Sequence, residues 1–249
     1  MVAELWLIGM GTGHPGHVTL EGQNALKSAN TVLIPRKGTG KEDLAHLRRA
    51  ILDRSGTKAR IVEFDMPIRD ENLPYERRVS AWHDEIAIRW QAALLDAPEG
   101  PVALLVWGDP GLYDSTLRIA ARIKPQPKLR VIPGITALQA LTAAHAIPFN
   151  TVNGAVTVTT GRRLRDNGWP DNAETVVVML DGQCSFQSLD PQGLHIWWGA
   201  FLGMPEQVLG SGPLSDVVQR IVDLRGKERA RHGWIMDTYL LRRTDAPRS

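Results

Sequence analysis

Apolar residues along this chain fall into short runs without polar alternation, and most of these runs stop at or beside a glycine. A strand that is buried on one face alternates apolar and polar side chains, whereas an uninterrupted apolar run indicates burial on both faces. The pattern therefore predicts strands of a mainly parallel sheet. The runs occupy residues 5–8, 102–107, 129–132, 156–160, 176–180 and 196–198.

Helical periodicity lies between these runs and is clearest over residues 77–95. Val79, Trp82, Ile86 and Trp90 recur every three or four residues, which gives one apolar stripe along a helix. The alternation of strands with helices predicts an α/β protein that carries helices on both faces of its sheets. Weaker patterns predict helices over residues 18–29, 42–53, 114–123, 135–145 and 214–225.

The order of elements changes near residue 148 and predicts two α/β domains, residues 1–148 and 149–249. Strand–helix pairs repeat before this point, and strand-rich sequence follows it. In open α/β sheets, ligands bind beyond the carboxyl ends of the strands. We therefore expect the functional site among the loops that follow the strands.

Composition excludes several function classes. Hydrophobic residues make up 43% and charged residues 22% of the 249 residues, which is the balance of a chain that buries a core. The net charge of +2 argues against a general nucleic-acid partner. The single cysteine, Cys184, excludes an intramolecular disulfide and a cysteine-cage metal site. No apolar run reaches the ~18 residues of a membrane span. Glu4 stands where a signal peptide would have basic residues. We therefore expect a cytoplasmic protein without a metal or a membrane partner.

Three glycine-containing loops follow predicted strands, at residues 9–16, 107–113 and 133–137. The first is not a dinucleotide fingerprint, because His14 stands where the third glycine is required, and no lysine follows to make a phosphate loop. Each loop taken alone is compatible with an ordinary turn, in which Asp109 closes an Asx turn. The three together favour a single ligand cradle.

The motifs in these loops resemble those of the tetrapyrrole methylase family. They are G-x-G-x-G at 9–13 followed by V-T-L at 18–20, G-D-P-x-x-Y at 108–113, P-G-I-T-A at 133–137 and V-V-M-L at 177–180. The resemblance spans essentially the whole chain. It implies two α/β domains of the tetrapyrrole methylase type with the cofactor cleft between them, S-adenosyl-L-methionine as cofactor, a tetrapyrrole substrate and a homodimer.

Longer strings, such as W-G-D-P-G-L-Y-D-S-T-L-R-I at 107–119 and R-H-G-W-I-M-D-T-Y-L-L-R-R at 231–243, narrow the resemblance. They are similar to family members of cobalamin (vitamin B12) biosynthesis that methylate ring carbon C1 of a precorrin and release its acetyl group as acetate. Residues alone do not fix the ring position, so methylation at another precorrin carbon stays open. A non-tetrapyrrole target such as rRNA or a modified histidine, and a tetrapyrrole carrier without turnover, are the further alternatives.

The resemblance implies a set of cofactor contacts: Thr12, Gly108, Asp109, Leu112, Thr136, Ala137, Met179 and Gly199. Met179 taken alone would be assigned to the core. The substrate is a macrocycle with many carboxylates, which need cationic and preferably bidentate partners. Arg162 and Arg163 follow Gly161 directly and are therefore candidate substrate-binding residues, whereas Arg242 and Arg243 are expected to be surface charge.

Release of acetate requires attack of water on the acetyl carbonyl, which suggests a general base. Three residues at predicted strand ends are catalytic candidates: His14, Asp181 and Asp237. The wider family often has an aspartate in the first loop where this chain has His14. Each candidate also has a structural alternative, since His14 could orient its loop, Asp181 could belong to a turn and Asp237 could be a hydrogen-bonded core group. Substrate-assisted chemistry without a protein base is a further alternative, because the conjugated macrocycle can hold electrons released at C1.

Overall fold

The structure is a computed structural model that describes residues 4–36, 42–70, 72, 74–95, 97 and 99–244. Contacts divide the chain into two compact units, Met1–Thr136 and Ala137–Ser249. This division falls before the helix Ala137–Ala144 rather than after it, where the sequence places the boundary.

Unit 1 contains a five-stranded parallel sheet in the order β3-β2-β4-β1-β5. Its strands are β1 (Glu4–Gly9), β2 (Thr31–Arg36), β3 (Arg60–Asp65), β4 (Pro101–Val106) and β5 (Lys128–Ile132). Its helices are α1 (Leu20–Ser28), α2 (Glu42–Ser55), α3 (Tyr75–Leu95) and α4 (Thr116–Ala120). A short 3-10 turn, Pro15–His17, lies between β1 and α1.

Helices cover both faces of this sheet, as the uninterrupted apolar runs predict. Leu5 and Leu7 of β1 belong to an apolar cluster with α3 and α4 on one face. Trp6 and Ile8 belong to a second cluster with α1 and α2 on the other face. Successive side chains of a strand point to opposite faces, so both alternating sets of β1 are buried and the strand shows no polar alternation.

Unit 2 contains a mixed five-stranded sheet in the order β6-β7-β10-β8-β9. Its strands are β6 (Val156–Thr160), β7 (Thr175–Met179), β8 (Leu194–Ala200), β9 (Val208–Pro213) and β10 (Asp237–Arg243). Its helices are α5 (Ala137–Ala144), α6 (Gly161–Asn167) and α7 (Leu214–His232). Helix α5 contacts β8 and β10, which explains why it belongs to this unit.

The expectation of a mainly parallel sheet is wrong for unit 2. β6 and β7 are parallel, but β10 lies between β7 and β8 and is antiparallel to both, and β9 is antiparallel to β8. Val176–Val178 of β7 and Leu240–Leu241 of β10 are nonetheless fully buried. An apolar run reports burial on two faces and carries no information about strand direction, so the pattern could not separate the two kinds of sheet.

Several elements of the structure lie outside the predicted pattern, β3, β9 and α6 among them. β3 is a partly exposed edge strand with mixed polar positions, and β9 contains two glycines and a proline. Helix α6 occupies residues for which the sequence pattern predicts no helix. In the described part of the chain, none of the helices has the length and apolar character needed to cross a membrane.

Candidate functional site

The strand order of unit 1 creates a topological switch point between β1 and β4. These two strands are neighbours, yet α1 follows β1 on one face of the sheet and α4 follows β4 on the other. Ligands of open α/β sheets bind in the crevice that such a reversal leaves beyond the carboxyl ends of the strands. The first two glycine loops leave the sheet at this point.

Backbone atoms of the three glycine loops contact one another directly. Gly108 N donates to Gly11 O (2.8 Å), and Gly11 N donates to Gly108 O (3.2 Å), which joins the first loop to the second. A Cβ on Gly134 would lie 2.2 Å from Gly108 O and 2.7 Å from Gly9 Cα, so the third loop packs against both. Gly108 also has a φ of +64°, which favours glycine. The three loops therefore form one cluster, which we call the glycine cluster.

Asp109 ties two loops of the glycine cluster together. Its Oδ1 accepts a hydrogen bond from Gly111 N (2.7 Å) within the same loop, and its Oδ2 accepts one from Gly134 N (2.9 Å). Hydrogen bonds to a carboxylate are stronger than those between neutral groups. Asp109 therefore closes its own turn and fixes the position of the third loop as well. Leu112 lies in the same loop and is partly exposed.

His14 and His17 frame the buried Thr12. Thr12 Oγ1 is 3.0 Å from His17 Nδ1, and burial lowers the pKa of His17, with a smaller contribution from the charge of His14. His14 is exposed, and its Nδ1 accepts a hydrogen bond from Gly16 N (3.0 Å) at the start of the 3-10 turn. A neutral imidazole that accepts at Nδ1 carries its proton on Nε2. This geometry favours a loop-orienting role for His14 over a general base. No motif in the sequence pointed to His17.

In unit 2, β6 and β7 end at the same edge of the sheet, where Thr160 pairs with Met179. Met179 is partly buried, and Leu180 after it is exposed. Arg162 and Arg163 lie in the first turn of α6 and are also exposed. A Cβ on Gly161 would lie 2.3 Å from Asp181 Cγ, so the two strand ends pack closely. We call this group of residues the β6–β7 edge.

Asp181 is buried, and hydrogen bonds occupy both of its carboxylate oxygens. Oδ1 accepts from Gln183 N (3.0 Å) and Ser185 Oγ (2.9 Å), while Oδ2 accepts from Ser185 N (2.6 Å) and the Tyr239 hydroxyl (2.7 Å). Burial raises the pKa of Tyr239 well above its usual value, and the charge of Asp181 adds to the shift. A carboxylate with four donors holds a turn together, so the geometry favours the structural alternative for Asp181.

Asp237 takes part in a buried ion pair with Arg225 of α7. Arg225 Nε donates to Asp237 Oδ2 (2.8 Å), its Nη2 donates to Oδ1 (3.2 Å), and Trp198 Nε1 also donates to Oδ2 (2.9 Å). Burial lowers the pKa of Arg225, but the hydrogen bond and charge of Asp237 outweigh it, and the net shift is upward. The geometry therefore favours a paired core group over a base for Asp237 too.

Arg225 is a residue that the sequence analysis missed, and it connects the two buried carboxylates. Its Nη2 also donates to the backbone oxygen of Asp181 (3.1 Å). The signal was present in the sequence, because the buried residues Leu214, Val217, Ile221 and Arg225 follow one helical stripe. An arginine on an apolar stripe indicates a buried partner of opposite charge.

The remaining predicted residues have different surroundings. A Cβ on Gly199 would lie 2.6 Å from Leu202 Cδ2 and 3.0 Å from Leu141 Cδ1, so this glycine makes room for apolar packing. Thr136 ends unit 1 and Ala137 begins unit 2. The expectation of surface charge is wrong for Arg242, because its Nη2 donates to the carbonyl oxygens of Pro148 (2.8 Å) and Phe149 (3.0 Å).

Neither the cysteine nor any grouping of acidic and histidine side chains offers a second reactive site in the described residues. Burial raises the pKa of Cys184 to about 11, so its thiol stays protonated near neutral pH and is a poor nucleophile. Within the ranges that the structure describes, no three His, Cys, Asp or Glu side chains are grouped so that they could hold a metal ion.

Known proteins similar to this chain agree with one another. Residues 4–218 match the family described as Tetrapyrrole (Corrin/Porphyrin) Methylases. A curated relative, precorrin-6A synthase [deacetylating] from Sinorhizobium sp, is 45% identical, and the match covers 96% of this chain and 95% of the relative.

Solved structures give the same result. The crystal structure of a putative cobalamin synthesis related protein (CobF) from Corynebacterium diphtheriae has a TM-score of 0.85 and 38% identity, with 98% of this chain and 100% of that chain covered. Uroporphyrin-III C-methyl transferase from Thermus thermophilus, solved with S-adenyl homocysteine, has a TM-score of 0.59 at 18% identity and covers 96% and 97%, which supports the fold alone. The glycine cluster, the two α/β units and these matches agree: the chain belongs to the tetrapyrrole methylase family.

Proposed function

We propose that this methylase converts precorrin-5 to precorrin-6A in cobalamin biosynthesis, by methylation at ring carbon C1 with release of acetate. The observation that carries the proposal is the 45% identity to precorrin-6A synthase [deacetylating] over 96% of the chain. The structural match to CobF at a TM-score of 0.85 supports it.

The glycine cluster fits S-adenosyl-L-methionine as the cofactor. Glycines at the switch point between β1 and β4 let backbone amides approach a ligand without steric conflict from side chains. We propose that Thr12, Gly108, Asp109, Leu112 and Thr136 of unit 1 hold the cofactor. Ala137, Met179 and Gly199 of unit 2 are proposed to contribute as the family resemblance implies. When bound, the cofactor supplies an electrophilic methyl group on a sulfonium, and the chain's own task is orientation.

Arg162 and Arg163 are proposed to bind carboxylate arms of the substrate. Both are exposed at the β6–β7 edge, where a guanidinium can take a carboxylate through two parallel hydrogen bonds. Their role is to fix the macrocycle so that C1 faces the methyl donor.

Acetate release is proposed to depend on the substrate more than on a protein base. Water adds to the acetyl carbonyl, the bond from that carbon to C1 breaks, and acetate leaves while the two protons of the water pass to solvent. The conjugated macrocycle holds the electron pair at C1 until C1 uses it to bond the methyl group, whose bond to sulfur breaks. Asp181 and Asp237 have buried carboxylates whose oxygens are already hydrogen-bonded, and His14 Nδ1 accepts from Gly16 N. Because each candidate is engaged, none is placed in the role of base.

The test is incubation of the purified protein with methyl-labelled S-adenosyl-L-methionine and precorrin-5 made enzymatically. We expect one equivalent of acetate for each methyl group transferred, with the label on C1 by NMR. Label on a different ring carbon would reassign the enzyme within the family. Pigment binding without methyl transfer or acetate would support a carrier instead.

The resemblance also carries proposals about assembly and location. We propose a homodimer, which light scattering coupled to size-exclusion chromatography would detect as twice the 27.5 kDa chain mass. We propose a cytoplasmic location, which fractionation of the producing cell would test.

A further inference from the structure

Leu180 combines two features that are unfavourable for the chain itself. It directly follows β7, it is 68% exposed, and its φ is +54°. A left-handed backbone conformation raises the conformational energy of an L-amino acid, whereas glycine adopts it without this penalty. Exposure means that the leucine side chain also gains little from burial. Among the described residues, neither burial nor backbone preference therefore accounts for a leucine at this position.

Hydrogen bonds fix the chain shortly before and directly after Leu180. The carbonyl of Val178 accepts a hydrogen bond from Thr238 Oγ1 (2.8 Å). On the other side, four donors fix the Asp181 carboxylate and Arg225 holds its backbone oxygen. Residues with a strained backbone persist where the surrounding structure holds them firmly, and such residues are concentrated at ligand sites. The buried network thus presents the Leu180 side chain outward.

The neighbours of Leu180 indicate what it meets. Thr160, at the end of β6, pairs with Met179, and Arg162 and Arg163 begin the next helix with exposed side chains. An apolar group therefore lies at the same edge of the sheet as two guanidinium groups. A flat apolar ring with carboxylates on its rim would satisfy both, whereas a small anion would use the arginines alone.

We infer that Leu180 packs against the face of the tetrapyrrole ring and helps to set the enzyme's preference for it. This inference rests on the proposed function. Leu180 ends the V-V-M-L motif, in which a role was assigned to Met179 alone, and it is selected here by its exposure and backbone conformation.

Two variants separate a ligand contact from a structural role. Leu180→Ala keeps a left-handed L-residue and removes the side chain, while Leu180→Gly also relieves the strain. We expect both to raise the KM for precorrin-5 about tenfold, the scale of losing one buried leucine contact. Affinity for S-adenosylhomocysteine, measured by calorimetry, should change less than about twofold, because no cofactor-binding residue is removed. The melting temperature of Leu180→Gly should equal or exceed that of the wild type.

Ala146→Gly is the matched control. Ala146 is exposed in the same unit, has a φ of +52° and lies outside the site, so its variant relieves similar strain and should leave the KM unchanged. An unchanged KM in both Leu180 variants overturns the inference and leaves the proposed function intact. A loss of S-adenosylhomocysteine affinity in place of the KM effect also overturns it, because the contact would then be with the cofactor. A wild-type protein that neither turns over precorrin-5 nor binds uroporphyrin III overturns the proposed function and the inference together.

Discussion

The strand ends of the two units are built in different ways. In unit 1, the glycine cluster consists mainly of backbone: loops joined by amide–carbonyl bonds, close glycine contacts and the single carboxylate of Asp109. In unit 2, side chains do the equivalent work, because Asp181 and Asp237 are held by Tyr239, Arg225 and Trp198. The first arrangement relies on contacts between backbone atoms, whereas the second relies on hydrogen bonds and an ion pair between buried side chains.

This difference indicates different sensitivities. A backbone site fails when a side chain is added, since the contacting atoms cannot move apart without displacing a strand. A buried network of charges fails when one partner is removed, since the other charge is then left unpaired in the interior. We therefore test the glycine cluster by adding a side chain and the buried network of unit 2 by removing one charged partner.

The largest expected effect is on the ion pair of unit 2. Arg225→Ala removes both guanidinium hydrogen bonds to the Asp237 carboxylate and keeps the one from Trp198 Nε1, and we expect a loss of ~3–5 kcal/mol in the free energy of unfolding. Urea denaturation would measure it. Arg220→Ala on the same helix removes an exposed side chain that donates to Ser211 O and should stay within about 1 kcal/mol. Equal losses in the two variants would contradict the importance of the buried pair.

The glycine cluster should respond next most strongly, to an added methyl group. Gly134→Ala places a Cβ 2.2 Å from Gly108 O, so we expect a loss of about 2–3 kcal/mol in stability and weaker cofactor binding. Thermal denaturation and calorimetry with S-adenosylhomocysteine would measure the two effects. Gly226→Ala in α7 meets nothing within 4 Å and should stabilise by ~1 kcal/mol instead. A stable, cofactor-binding Gly134→Ala protein would refute the close packing of the loops.

Removal of the carboxylate that ties the glycine cluster should affect binding more than folding. Asp109→Ala frees the amides of Gly111 and Gly134, and we expect cofactor affinity to fall by ~1.5–3 kcal/mol. Calorimetry on the folded variant is the measurement. Asp190→Ala provides the control, since Asp190 accepts from Gln192 N in an exposed turn of unit 2. Unchanged affinity in Asp109→Ala would reduce Asp109 to a turn residue.

A smaller and more selective effect is expected at the β6–β7 edge. The double variant Arg162→Ala with Arg163→Ala should raise the KM for precorrin-5 roughly tenfold and leave cofactor affinity within about twofold. Lysine replacements should recover part of the loss, because lysine lacks the planar fork of arginine. Arg229→Ala, another exposed arginine of unit 2, is the control. If the double variant has wild-type kinetics, the two arginines are solvated surface charge.

The smallest expected effect is the pH dependence of the first loop. Burial lowers the pKa of His17 below 6.5, so the unfolded chain binds its proton more readily than the folded one. The contribution of His17 is therefore complete above about pH 6.5 and is lost as pH falls from there through the lowered pKa of His17 in the folded chain. His17→Asn should flatten this part of the stability curve between pH 7 and pH 5, measured by urea denaturation. A curve that keeps its full slope would assign the dependence to other groups, such as His83 and His195, whose pKa values burial also lowers.

The sequence by itself determined the α/β class, most of the strands and helices, and the loops that form the glycine cluster. These features are local: apolar runs report burial, helical stripes report a single packed face, and glycine after a strand reports a close backbone approach. The family motifs added the expected cofactor, and the match over residues 4–218 bears out the family.

The tertiary structure decided which strands are neighbours and which side chains are free to react. β1 and β4 are far apart along the chain, and their pairing alone creates the switch point between the first two loops. Likewise, the sequence offers Asp181 and Asp237 as candidate general bases. In the structure, Tyr239 donates a hydrogen bond to Asp181, and Arg225 donates one to Asp237. Strand pairing and hydrogen bonding join residues across long sequence separations, and no local pattern of apolar and polar positions records such a pairing.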